Sequence, residues 1–96
     1  MKHIFLMVAA GLAVAAVASA QDPAALAQAK GCMKCHAVEQ KKVAASFKAI
    51  AANHAGDPTA AATLIAMLKN GSDDHQPAAA SDAEIKALVD YILALK

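Results

Sequence analysis

The sequence predicts an all-α protein, with about four short helices in one domain. Two observations predict it: helix-capping residues and prolines stand before several segments, and apolar residues recur every three to four positions along the chain. No window shows strand alternation with β-branched or aromatic enrichment. Ala supplies 28 of the 96 residues, and Phe, Tyr and Trp together supply three. The core is therefore expected to hold many small side chains.

The first 20 residues have the pattern of a cleaved secretory signal peptide. A basic start at Met1–His3 precedes an uncharged stretch from Ile4 to Ala18, and Ala18–Ala20 is a small-x-small triplet. The apolar stretch is shorter than the roughly 18–20 residues of a membrane-spanning helix, so we expect cleavage and no permanent membrane anchor. The prediction is a domain of residues 21–96, exported to the periplasm.

The first two helices are predicted from their end signals. Asp22–Pro23 is expected to cap and begin a helix that runs to Gly31. A second helix is expected to follow Ser46 and to end at Gly56.

The last two helices have clearer signals. Asp57–Pro58 repeats the cap-and-proline start, and Asn70–Gly71 is expected to close the third helix. Ser81–Glu84 has the pattern of a capping box. The apolar stripe of the fourth helix consists of Ile85, Leu88, Val89, Ile92 and Leu93. An irregular loop is expected over residues 73–80.

A domain this small and poor in large apolar residues usually needs a stabilising group. Cys32 and Cys35 are the only cysteines, and His36 follows directly. Cys-x-x-Cys-His is the attachment motif of a c-type haem. Two thiols about one helical turn apart match the two vinyl groups of a haem, and the adjacent imidazole reaches the iron from one side. The motif predicts one covalently attached haem c with His36 on its iron.

Three other interpretations of the cysteine pair are weaker. A thioredoxin-like redox pair is expected in a βαβ context, which the helical pattern does not provide. A zinc site needs four ligands, and the chain has no second cysteine pair. A disulfide across two residues would stabilise little, because it closes a very short loop.

With this motif in place, the chain resembles the small bacterial class I cytochromes c over essentially all of residues 21–96. The resemblance is carried by Asp22–Pro23, Lys30–Gly31, Cys32–Val38, Val43, Ser46–Lys48, Ala51–Ala52, Ala55–Gly56, Lys69–Ser72, Ser81–Glu84 and Tyr91–Leu93. It implies a class I cytochrome c fold, in which the N- and C-terminal helices cross and pack around one haem with an exposed edge. The predicted contacts of this crossing join Leu26 and Ala27 to Val89, Tyr91 and Ile92.

The chain departs from this family at the sixth iron ligand. The family usually supplies a Met from a Pro-rich loop before the last helix, but no Met lies between Ser72 and Ser81. Counting back from Ser81, Pro77 falls on the second Pro of the family's Met-Pro-Pro run and His75 falls on its Met. His75 is therefore the predicted sixth ligand. Two imidazole ligands predict a lower reduction potential than a His/Met pair.

Other assignments of the sixth position stay open: His54, Met67 on its predicted helix, or no protein ligand.

A second departure replaces the family's usual Gly-Pro by Ala44–Ala45. The family's Pro carbonyl accepts a hydrogen bond from the haem-ligating His, and the Ala45 carbonyl is expected to do the same for His36. Without Pro the loop should be less rigid.

These features predict a one-electron carrier and not an enzyme. The alternative is a five-coordinate haem protein that binds NO or CO as a sensor or carrier, if His75 does not reach the iron. A peroxidase-like enzyme is the least supported class, because it needs a distal acid–base constellation.

Charge is unevenly distributed along the chain. Residues 30–48 contain five lysines against the single acid Glu39, whereas acids outnumber lysines from Asp57 onward. After loss of the leader the formal charge is zero, which argues against nucleic-acid binding. We expect a monomer with redox protein partners, acidic ones docking at a haem edge bordered by Lys34, Lys41, Lys42 and Lys48.

Overall fold

The computed structural model describes residues 22–96, which form four α-helices and a short 3-10 helix. The α-helices are α1 (Pro23–Ala29), α2 (Phe47–Asn53), α3 (Ala60–Asn70) and α4 (Asp82–Leu93), and the 3-10 helix is Cys32–Lys34. Extended pairing within residues 22–96 is limited to one isolated bridge between Ser72 and His75. The all-α prediction is confirmed. The predicted signal peptide lies outside the described residues.

Three of the predicted caps are present. The Asp22 carboxylate accepts a hydrogen bond from the Ala24 amide, and the Ser46 hydroxyl accepts one from the Ala49 amide. At α4 the Ser81 hydroxyl accepts from the Glu84 amide, and the Glu84 carboxylate accepts from the Ser81 amide. This reciprocal capping box satisfies amides that the first helical turn leaves unpaired. Over residues 22–96, no helix is long and apolar enough to cross a membrane.

The predicted start of the third helix was wrong. The Asp57 carboxylate accepts hydrogen bonds from both the amide and the hydroxyl of Thr59, so Asp57 closes a local turn and α3 begins at Ala60. The first two helices also end earlier than expected, at Ala29 and Asn53. Each is followed by a turn before the glycine that was expected to end it.

The core consists of two apolar clusters that meet along the apolar stripe of α4. The first contains Leu26, Ala27, Phe47, Leu88 and Ile92, and the second contains Leu64, Ile85 and Val89. On this stripe, Leu88 and Ile92 pack with residues of α1 and α2, whereas Ile85 and Val89 pack with Leu64 of α3. The expected packing of Leu26 and Ala27 with Ile92 and Tyr91 is confirmed, but Val89 belongs to the other cluster.

Candidate haem site

A cavity of about 560 Å³ opens beside the 3-10 helix. Its volume lies within the range of cofactor and ligand sites, and its lining is mostly apolar with a few polar groups, as such sites usually are. Its lining comes from the Cys-x-x-Cys-His segment, from each of the helices α2, α3 and α4, and from the loop before α4. The lining includes Cys32, Cys35, His36, Phe47, Ile50, Leu64, Met67, Leu68, His75, Pro77, Leu88 and Ile92. The cavity therefore brings together the four predicted haem-binding residues.

The cysteine pair is held by a tight local turn. Gly31 has a φ of 80°, and the amides of Cys35 and His36 both donate to the Cys32 carbonyl, at 3.2 and 3.0 Å. Burial raises the pKa of the Cys32 thiol above its ordinary value, although a backbone hydrogen bond opposes this. Reactive redox cysteines instead have a lowered thiol pKa. The thioredoxin-like alternative is further disfavoured because the elements of residues 22–96 are helices and form no βαβ unit.

The His36 ring is oriented by the backbone. Its Nδ1–H donates to the Ala45 carbonyl at 2.7 Å, as the sequence predicts, and the ring stacks on Phe47 with centroids 5.3 Å apart. The Ala44 amide donates to the Cys35 carbonyl at 2.8 Å, which ties this segment to the motif. A proton fixed on Nδ1 leaves the Nε2 lone pair free to bind a metal.

The His75 ring lies in the loop between α3 and α4. Ser72 and His75 exchange backbone hydrogen bonds of 2.7 and 3.2 Å. The Nδ1–H of His75 donates to the Gln76 carbonyl at 2.7 Å, so the Nε2 lone pair of this ring is also free. Sequence reasoning missed this partner, because a backbone acceptor leaves no signal in residue identity.

The two imidazole rings line the same cavity and lie close together. Their centroids are 6.2 Å apart and their planes differ by 26°. An imidazole nitrogen lies about 2.0–2.1 Å from a bound transition metal, so two imidazoles on opposite sides of one ion have centroids roughly 6 Å apart. The observed centroid spacing is close to that value, and each ring has its Nδ1 proton engaged by a backbone carbonyl.

Of the other two candidate ligands, Met67 lines the haem cavity and His54 does not. Met67 is half-buried on α3, lines the haem cavity and packs against the second apolar cluster. His54 lines a separate cavity of about 450 Å³ that shares no lining residue with the first. Its Nδ1 is 3.9 Å from the Asp57 carboxylate. The structure therefore does not bring His54 to His36.

The lysines of residues 30–48 also differ in their surroundings. Lys48 pairs with Glu39 at 2.9 Å and lowers the pKa of that carboxyl; it lines the second cavity and not the haem cavity. Lys42 Nζ donates to the Met33 carbonyl at 2.8 Å.

Among the described residues, Val43 is the large apolar side chain left exposed, at 75%, and it borders the haem cavity. Sequence reasoning gave Val43 no role at this edge, although the Lys-Lys-Val run was visible.

Known families and proteins match this chain along most of its length. Residues 18–92 match the family model described as cytochrome c oxidase, cbb3-type, subunit III. The chain is 38% identical to cytochrome c-551 of Pseudomonas aeruginosa over 94% of this chain and 92% of that protein. It is also 38% identical to cytochrome c-552 of Nitrosomonas europaea over the whole of both chains.

Solved structures with the same fold are cytochromes as well. A deletion mutant of Nitrosomonas europaea cytochrome c552 superposes with a TM-score of 0.71 and 42% identity, over 76% of this chain and 99% of that one. The class 1 cytochrome MtoD of Sideroxydans lithotrophicus ES-1 gives a TM-score of 0.65 and 32% identity, over 75% and 90% of the two chains. With the Cys-x-x-Cys-His motif in this cavity, the chain belongs to the small monohaem class I cytochromes c, which bind one covalently attached haem c.

Proposed function

We propose that this protein is a periplasmic one-electron carrier whose haem iron is bound by both His36 and His75. The observation that carries the proposal is the pair of imidazole rings 6.2 Å apart on one cavity. Each ring has its Nδ1 proton engaged by a backbone carbonyl. That arrangement supports Nε2 as the ligand atom on both sides.

The bound haem supplies the Fe(III)/Fe(II) couple. The protein's own groups hold and orient it: Cys32 and Cys35 would carry the two thioether bonds, and the Ala45 carbonyl fixes the His36 ring. The apolar walls from α3 and α4 exclude water from the buried face. Since no reacting substrate has to be protonated or attacked, the site needs no acid–base pair, and we propose no enzymatic activity.

Bis-His ligation has a consequence for the reduction potential. A Met ligand raises the potential of a c-type haem. With His75 in the Met position, this protein should donate electrons at a lower potential than a His/Met cytochrome of the same fold. We propose that it serves partners in a lower potential range.

Docking is proposed at the lysine edge, which we define as Lys41 and Lys42, directly before the exposed Val43 in the chain, and Lys34, whose neighbour Met33 accepts a hydrogen bond from Lys42. Within residues 22–96, Lys34 and Lys41 form no ion pair, so their charges remain available to an acidic redox partner. Val43 borders the haem cavity and offers an apolar contact inside the charged rim, as in many transient interfaces. We propose that the protein docks there as a monomer.

The iron-ligand proposal is tested by optical spectra of the holoprotein with and without CO. The wild-type protein should show a low-spin ferric spectrum, and its reduced form should bind CO slowly or not at all. His75→Ala should give a high-spin spectrum and rapid CO binding, while His54→Ala, in the separate cavity, should behave as wild type. A wild-type protein that is high-spin and binds CO rapidly would favour the alternative gas-binding function. A low-spin His75→Ala variant would exclude His75 as the ligand.

A further inference from the structure

Gly71 lies where the His75 loop leaves the end of α3. It follows the last residue of α3 and has φ 77° and ψ 176°, a conformation that essentially only glycine adopts. A Cβ placed on Gly71 would lie 2.8 Å from Pro77 Cδ, 3.0 Å from Pro77 Cγ and 3.1 Å from the His75 carbonyl oxygen. These distances are shorter than van der Waals contact, so this position has no room for a methyl group.

The contacts around Gly71 close the loop onto α3. The Ser72 amide donates to the His75 carbonyl at 2.7 Å, and the Ala78 amide donates to the Leu68 carbonyl at 2.7 Å. The loop therefore leaves α3 at Gly71, turns at Asp73–Asp74 between the paired residues Ser72 and His75, and returns to the same helix at Ala78. An ordinary glycine at a helix C-terminus is left-handed in both angles; the extended ψ of Gly71 instead directs the chain into this closed turn.

We propose that Gly71 is a positioning residue for the sixth iron ligand. The inference rests on the proposed ligation by His75. The missing side chain lets the Pro77 ring and the His75 carbonyl pack directly against the end of α3. That packing fixes the His75 backbone, and through it the ring, at the depth of the haem cavity. A side chain on residue 71 would push Pro77 and His75 outward and draw the imidazole away from the iron.

Gly56 provides a control for the loss of a glycine. It also has a positive φ, 76°, in a turn after a helix, but a Cβ there meets nothing within 4 Å. Gly56→Ala therefore introduces backbone strain without a steric contact. Gly56 lines the cavity that contains His54 and not the haem cavity. A change that appears only in Gly71→Ala reports on the backbone conformation and packing at the end of α3, and the Pro77 variants described below separate the packing from the backbone.

The experiment compares ferric spectra and CO-binding rates of wild type, Gly71→Ala, Gly56→Ala and His75→Ala holoproteins, each well below its unfolding midpoint. Gly71→Ala is expected to show a mixture of low- and high-spin haem and CO binding many-fold faster than wild type. Gly56→Ala should lose stability but keep the wild-type spectrum and CO rate. If Gly71→Ala matches Gly56→Ala while His75→Ala is high-spin, the positioning role is wrong and the ligand proposal stands. If His75→Ala remains low-spin, both are wrong.

Two further variants keep the test decisive if Gly71→Ala does not accumulate. Pro77 is exposed, so Pro77→Ala should fold; it removes one side of the packing and is expected to speed CO binding several-fold. In the double variant Gly71→Ala/Pro77→Ala, the methyl group added at residue 71 can occupy the space that the proline ring of residue 77 leaves. Its spectrum should be closer to that of Pro77→Ala than to that of His75→Ala. An unchanged CO rate in Pro77→Ala, or a fully high-spin double variant, would contradict the role of this contact.

Discussion

His36 and His75 lie on one cavity with ring centroids 6.2 Å apart, and each donates its Nδ1 proton to a nearby backbone carbonyl at 2.7 Å. The His36 acceptor, Ala45, is nine residues away, whereas the His75 acceptor is the next residue in the chain. The His36 ring is therefore anchored by a tertiary contact. The His75 ring depends on the conformation of its own loop, which makes the loop the sensitive part of the site.

Replacing His75 by Met should raise the reduction potential. The variant restores the residue type that the family usually has at this position, and a thioether favours the reduced iron more than an imidazole does. Spectroelectrochemical titration of wild-type and His75→Met holoproteins measures the change. His54→Met serves as the control, because His54 lines a different cavity, and its potential should equal that of wild type. A His75→Met protein with the wild-type potential would argue against His75 as ligand.

Electron transfer to an acidic partner should depend on Lys41. One exposed charge pair is worth about 0.2–1 kcal/mol, so Lys41→Gln should slow bimolecular transfer by at most about fivefold at low salt. Stopped-flow kinetics against ionic strength measures this, and the difference should vanish as salt screens the charges.

The control for this experiment is Lys86→Gln. Lys86 pairs with Asp90 on α4, so its loss removes the same charge outside the lysine edge. Equal slowing by both variants would show that net charge matters and the position of the lysine does not.

The capping box of α4 should make stability depend on pH. Hydrogen bonds from the Ser81 amide and hydroxyl, together with the ion pair to Lys30, lower the pKa of Glu84 below its ordinary value of 4.5. A carboxyl with a lowered folded-state pKa stabilises the fold above its unfolded pKa, and this contribution is lost as pH falls through the folded value. The free energy of unfolding should therefore decrease below about pH 4.5.

Denaturant titrations of wild type and Glu84→Gln between neutral and acidic pH measure this contribution. The variant should be less stable than wild type at neutral pH and should approach it as pH falls. Asp90→Asn removes a carboxylate from the same helix without altering the capping box. The free energy of unfolding should therefore depend on pH more steeply for Asp90→Asn than for Glu84→Gln. A constant gap between wild type and Glu84→Gln at all pH values would refute the assigned role.

The two alanines after the haem motif should respond in opposite ways to proline. Ala45→Pro keeps the carbonyl that accepts from His36 and restricts the unfolded chain, so it should stabilise the protein by about 0.4–1 kcal/mol. Ala44→Pro removes the amide that donates to the Cys35 carbonyl at 2.8 Å and should destabilise it. Thermal unfolding of the holoproteins compares the two. Destabilisation by Ala45→Pro would show that residue 45 needs more freedom than proline allows.

Features encoded by neighbouring residues could be predicted from the sequence. The Ser81–Glu84 capping box and the Cys32–His36 motif each depend on spacings of a few residues, and both have their expected form. The start of α3 was misplaced because Asp57 has two local uses, as a helix cap or as an acceptor in a turn. The Thr59 hydroxyl decides for the turn by adding a second hydrogen bond to the same carboxylate oxygen.

Features that depend on packing between distant residues could not be predicted in the same way. The apolar stripe of α4 does not say which of its residues meet α1, so the predicted contact of Val89 with Leu26 and Ala27 was wrong. The resemblance favoured His75 over His54 as the sixth ligand but left His54 open, and the fold separates them by placing His75 on the haem cavity and His54 on another one. The close approach of Gly71 to Pro77 requires the closed loop and has no counterpart in local sequence.

The most direct test of bis-His ligation is a crystal structure of the ferric holoprotein. The account predicts one haem joined to Cys32 and Cys35, with Nε2 of His36 and Nε2 of His75 on opposite sides of the iron at about 2.0–2.1 Å. Each Nδ1 should remain hydrogen-bonded to its backbone carbonyl. A Met67 sulfur, a water molecule or an open position opposite His36 would contradict the account.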